Sequence, residues 1–166
     1  MESRVTRAVM LAASVSLLFG AGVVGAEQKK AAAPLPVRLD AESLAGLGLE
    51  EYEPFPKEIV LSGRSKHSFE TLFSGEELVV EVYEAEPAKL KIDESWPYDE
   101  FIHLLSGKLV LTDANGKRTE YVAGESLVVP KGFLGTWEML GNFRELVVIE
   151  KKAYERAEAE ESEVEE

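Results

Sequence analysis

Between Val37 and Glu150 the apolar residues come in short runs broken by turn chemistry, and this rhythm constrains the fold more than any other feature. Runs rich in Val, Ile, Leu, Tyr and Phe suit half-buried strands. The spacing predicts strands over Glu58–Leu61, Ser68–Phe73, Glu77–Tyr83, Ala88–Ile92, Glu100–Leu105, Lys108–Thr112, Thr119–Val122, Ser126–Val129, Gly135–Met139 and Arg144–Ile149. Asn115-Gly116, inside DANGK, predicts a tight hairpin whose two central residues both take positive φ. Ser106-Gly107, Gly124 and Gly141-Asn142 mark other corners. One helix is expected, Ala41–Leu47, behind Asp40 as its N-cap. About ten strands with so little helix point to an all-β sandwich or barrel.

The two ends read differently. Arg4 and Arg7 open the chain, Ala8 to Val24 carries no charge, and small residues follow up to Ala26. Basic start, apolar middle and small-residue exit make residues 1–26 a secretory signal peptide, cut after Ala26. The expected location is therefore periplasmic or secreted, with no membrane association after cleavage. Residues 27–36, with an alanine run and two prolines, read as a linker before a single domain over 37–150. Residues 151–166 form an acidic tail, disordered or a frayed helix, with too little apolar surface to be held in place.

Charge and cysteine usage exclude whole classes of function. The chain has 31 acidic against 18 basic residues, a net charge of −13, which argues against nucleic-acid binding. The absence of cysteine removes disulfides, thiolate metal sites and a cysteine nucleophile. No Ser/His/Asp set, phosphate loop or nucleotide fingerprint is visible.

One ordered set of residues resembles a known family. Glu100, six residues and Gly107 (EFIHLLSG) resemble the end of the first cupin motif. Gly124, five residues and Pro130-Lys131-Gly132 (GESLVVPKG) resemble the start of the second, with a hairpin between. The stretch GFLGTWEMLGNFRELVVIE, with Gly135, Trp137 and Arg144, is similar to the cupin domain of (S)-ureidoglycine aminohydrolase. The resemblance spans Glu77 to Ile149 and implies a single cupin-type jelly-roll β-barrel with a ligand cavity inside.

The resemblance also implies where a metal would sit. Metal-binding cupins usually offer His-x-His, a Glu three or four residues on, and a late His after Pro-x-Gly. Here those positions hold Glu94, Trp96, Glu100 and Gly135, and Ala88 replaces the glycine that opens the first motif. Imidazoles and carboxylates together suit Mn, Fe or Ni. With only carboxylates left, no metal cofactor is favoured. The alternative is Glu94 and Glu100, with Asp93 or Asp99, holding Mn or another divalent cation. His103 is no substitute, because strand alternation puts it on the opposite face from Glu100, Ile102 and Leu104. His67 lies far upstream, with no partner at ligand spacing.

The expected site is therefore an acid among aromatic walls. Glu100 is the best candidate for a catalytic group, and an acid in a pocket can bind an amine or amide or move a proton. Trp96, Tyr98 and Trp137 are expected as walls and Arg144 as a further ligand contact, with Gly135 leaving room opposite Trp96. Three readings follow: a cupin that binds a small polar molecule without a metal, a metal-dependent hydrolase of a ureido-type C–N bond, and a structural or partner-binding cupin whose cavity is filled. Pairing through outer strands into a homodimer is compatible with each.

Overall fold

A computed structural model describes residues 35–162, with side chains through residue 157. The expected signal peptide over 1–26, most of the expected linker and the last four residues lie outside the described residues. The elements run α1 (Ala41–Leu44), β1 (Glu50–Glu51), β2 (Val60–Gly63), β3 (His67–Ser74), β4 (Leu78–Ala85), β5 (Ala88–Ile92), β6 (Glu100–Asp113), β7 (Arg118–Val122), β8 (Ser126–Val129), β9 (Gly135–Glu150) and α2 (Lys151–Ser162).

Two long strands form the spine. β6 and β9 pair antiparallel along most of their lengths. β4 and β5 share the other edge of β9, β4 on residues 143–150 and β5 on 135–139. β8 and β7 divide the other edge of β6 in the same way. β3 continues the sheet beyond β4, and β2 beyond β5. The result is a mostly β, curled antiparallel sheet, a half-barrel with a cupin-like fold. Its inner face carries the core, including Leu90, Ile102, Leu104, Leu109, Trp137, Met139, Phe143 and Val147.

β6 and β9 were each expected as two strands. The break signals are real but mark bends within continuous strands. Gly107 takes φ +73°, and a Cβ there would lie 2.7 Å from both Leu140 O and Phe143 Cα. The register of β6 on β9 shifts on either side of Ser106. Glycine therefore lets the two backbones cross closely at a bulge, where a side chain would force them apart.

Other expectations need correction. The 113–117 turn is not the hairpin with two positive-φ residues, because only Gly116 (φ +82°) takes that conformation. The Asp113 carboxylate accepts from the amides of Asn115 (2.8 Å) and Lys117 (2.9 Å), which holds Asn115 in an ordinary turn. β2 starts two residues later than expected, and the short polar β1 had no apolar signal to reveal it. α1 stops at Leu44, since Gly46 at φ +86° turns the chain and its amide bonds back to Ser43 O at 2.8 Å. Asp40 does cap it. Its carboxylate accepts from the Ser43 amide (2.8 Å) and hydroxyl (3.0 Å), which holds its pKa below the ordinary aspartate value.

The largest correction concerns the tail. β9 leads directly into α2, and its first turns lie on the end of the sheet. Ala153 and Tyr154 are buried there with the core, and Glu150 Oε2 accepts from the Ala153 amide at 2.9 Å. Two well-placed residues anchor a segment whose average composition gave no reason to expect an anchor.

Candidate functional site

The interior of the half-barrel has two chemically distinct ends. The first is apolar. β5 pairs with the first part of β9, so Leu90 faces Trp137 and Ile92 faces Gly135. Alternation brings Leu90, Ile92, Trp137 and Met139 to the inner face. Trp96, on the irregular segment between β5 and β6, packs against them, its ring 5.7 Å from that of Trp137 and inclined by 59°. Phe55, Ile59 and Tyr83 complete the wall of a cavity. Its space for water-sized occupants is about 20 Å³, enough for about one water. Among the described residues no charged side chain is in the wall.

The second end is acidic. Three glutamates on adjacent strands are buried: Glu81 on β4 (6% exposed), Glu145 on β9 (0%) and Glu100 on β6 (1%). Glu81 Oε1 accepts from Thr71 Oγ1 and from the Tyr154 hydroxyl, both at 3.1 Å. Tyr154 thus ties α2 to the sheet interior, and its ring lies 6.4 Å from that of Tyr98. Glu100 faces Val129 and Ile149 in register, and Glu145 faces Tyr83 and Leu104.

The residues expected as one site therefore divide. Trp96 and Trp137 line the cavity. Glu100 is inside the half-barrel, on the face that alternation assigned it, but it and Tyr98 are not in the cavity wall. Arg144 is not in the cavity wall either, because it and Glu145 point to opposite faces and Glu145 takes the inner one. Arg144 bonds Glu84 Oε2 through Nε (2.9 Å) and Nη2 (2.6 Å), and its guanidinium fills the space that a Cβ on Gly46 would need. Its role is to hold the α1 loop on the outside. Gly135 does not leave room for a ligand. At φ +147° its Cβ would lie 1.9 Å from Thr112 O, so β6 backbone occupies that space.

The histidines follow their surroundings. His103 is on the outer face, with Nδ1 2.9 Å from Ser126 Oγ. His67 is buried in an aromatic cluster, stacked on Phe55 at 4.1 Å and 5.7 Å from the Tyr83 ring. Sequence reasoning missed Glu81, Tyr154 and the inward turn of His67. β4 is apolar on both faces, so alternation alone could not show which way Glu81 points.

Cupins often bind metals, and the donor set here can be tested against that role. Of the four expected positions, an indole and a glycine occupy two, and neither offers a metal-binding atom. Among the described residues no group of three or more His, Asp or Glu side chains could hold a metal ion. Glu94 is exposed while Glu100 is buried, so the carboxylate alternative does not form one cluster. The residues present do not fit a cupin metal.

Comparison with known proteins agrees with the fold. Residues 74–154 match the family model of the EutQ-like cupin domain. A search of curated proteins finds no match. A Pseudomonas syringae pv. tomato protein of unknown function is 22% identical with a TM-score of 0.54, over 61% of this chain and 43% of its own. This chain thus spans less than half of that protein. A putative ethanolamine utilization protein Q from Salmonella typhimurium is 20% identical over 51% of this chain and 69% of its own, with a TM-score of 0.46. The polyketide cyclase RemF from Streptomyces resistomycificus is 16% identical over 70% and 80%, with a TM-score of 0.48. Residues 74–154 thus match a EutQ-like cupin domain, and the curled antiparallel sheet that holds them has a cupin-like fold.

Proposed function

We propose that this protein is a binding cupin that works without the usual metal and takes a small organic molecule at the apolar end of its half-barrel. The observation that carries the reading is the cavity between Trp96 and Trp137, walled by rings and aliphatic side chains. A polar molecule was expected from the sequence because Glu100 was placed among the aromatic walls. Without a charged group in the wall, an uncharged and largely apolar ligand is the better fit.

The resemblance to ureidoglycine aminohydrolase offers the alternative, a metal-dependent hydrolase of a ureido-type C–N bond. Glu94 and Glu100 speak for it, and Trp96 and Gly135 speak against it. A thermal-shift panel of divalent metals, ureido compounds and small aromatic compounds separates the readings. Stabilisation by aromatic compounds alone supports the binding cupin, whereas stoichiometric stabilisation by Mn supports the hydrolase. No shift with anything supports a structural cupin with a filled interior.

Residues 1–26 as a signal peptide, and with them a periplasmic or secreted location, belong to the same proposal. Sequencing the N-terminus of the exported protein should find Glu27 first. A homodimer also remains a proposal, supported by Phe101 and Val128. These face each other on the outer surface of β6 and β8 and are 40% and 59% exposed.

A further inference from the structure

Resting on the homodimer reading, we propose that two copies of this chain pack face to face through an apolar row on the outside of the sheet, with the two-fold axis running along β9 over Val148. Strand register builds the row. Phe73 faces Val80, Val80 faces Val148, Val148 faces Phe101 and Phe101 faces Val128. The neighbours of Val80, Val148, Phe101 and Val128 along each strand are buried, so alternation turns these four outward. Phe73, directly opposite Val80, shares their face. The row crosses five strands, about 20 Å at the usual strand spacing. Elsewhere the same surface carries ion pairs, among them Arg144–Glu84, Lys89–Glu138 and Lys108–Glu120.

Two features single out a second copy as the partner. The first is the order of the residues. A two-fold axis along β9 reverses the row, which puts Phe73 opposite Val128, Val80 opposite Phe101 and Val148 opposite its own counterpart. Each ring then meets a smaller valine, so the side chains of the two sheets can interdigitate across an isologous contact. The second is charge. In the neighbouring row Glu70, Val82, Leu146, His103 and Ser126 lie in register. That row has a carboxylate at one end and the His103–Ser126 pair at the other, with Nδ1 2.9 Å from Oγ. The same reversal brings Glu70 of one copy over Ser126 and beside His103 of the other. An acidic chain thus meets its copy with complementary groups rather than like ones. The face is small for a stable dimer, which points to a micromolar dissociation constant.

Sedimentation equilibrium should show a dimer of that strength. Phe101→Glu should weaken it about a hundredfold with an unchanged circular dichroism spectrum, since Phe101 is already exposed. Glu70→Lys should weaken it about tenfold, and adding His103→Glu should restore it. The absence of cysteine makes thiol linking a clean probe of the order. With a short bis-maleimide, Val148→Cys should link to itself. Val128→Cys should not, because its counterpart lies about 19 Å aside, but it should link to Phe73→Cys in a mixture of the two. Val128→Cys linking to itself would place the axis along the row and overturn the proposal. A dimer that resists Phe101→Glu and links at none of these positions would overturn this face and leave the homodimer standing. A wild type that stays monomeric at millimolar concentration would overturn both.

Discussion

β9 passes through both ends of the interior, and the two halves of this one strand behave differently. Before Gly141 it contributes Trp137 and Met139 to the apolar wall; after it, Glu145 and Val147 to the acidic one. In the acidic half at least one polar group is closed off by the chain itself, since Thr71 and Tyr154 both donate to Glu81. In the apolar half the wall includes a side chain that is not on a strand. The half with the more reactive residues is thus closed by the chain's own side chains, and the cavity lies in the half whose inward side chains carry no charge. Ionisable residues in a cupin interior do not by themselves mark the site.

The sharpest way to break this contrast is to try to rebuild a metal site. Gly135→His would place a Cβ at 1.9 Å from Thr112 O, on backbone at φ +147°. Strain and overpacking together should cost about 4 kcal/mol or more. Urea denaturation should show a largely unfolded variant that gains no affinity for Mn. A stable, Mn-binding variant would mean that the late-ligand position is open after all.

Next comes the comparison of the two indoles. Trp137→Ala should lose about 3–4 kcal/mol, as expected for a buried aromatic, and should bind no aromatic compound. Trp96→Ala should lose only about 1–2 kcal/mol, because less of its surface leaves water. Equal losses in chemical denaturation would show that Trp96 is as much a core residue as Trp137.

The acidic half should respond modestly and independently. Tyr154→Phe removes the hydroxyl that reaches Glu81 and should cost about 1 kcal/mol. Helix α2 should then exchange its amide hydrogens faster, with binding at the apolar end unchanged. A changed affinity for aromatic compounds would show that the two ends are coupled.

The smallest effect is at Asp40, far from either end. Its folded pKa lies below the ordinary value because of the Ser43 hydrogen bonds. Its contribution is therefore present at neutral pH and lost as pH falls through the acid range. Asp40→Asn keeps a capping oxygen but cannot titrate. The stability difference between it and the wild type should shrink between neutral pH and about pH 3.

What the sequence made legible follows from how local each signal is. Strands such as Ala88–Ile92 and Ser126–Val129 appear where expected, because alternation and flanking turns need only neighbouring residues. Strand parity also placed Glu100 inward and His103 outward correctly. It could not show that Gly107 and Gly141 bend a strand without ending it, because that depends on how β6 and β9 cross. It also favoured Arg144 over Glu145 as the inward residue, and the structure has the reverse, since a strand with two charged neighbours offers two equally good assignments. Tyr154 was invisible for a related reason. Its value lies in a hydrogen bond to Glu81, 73 residues away in the chain. The glutamate and indoles proposed as one site are real interior residues, but spacing along the chain does not reveal which of them share a cavity wall.

A crystal structure grown with both indole and Mn present tests the central claim most directly. The account predicts a ring packed on Trp137 at the apolar end, and no metal near Glu100. A Mn ion bound by Glu100, with no ring at the apolar end, would contradict it.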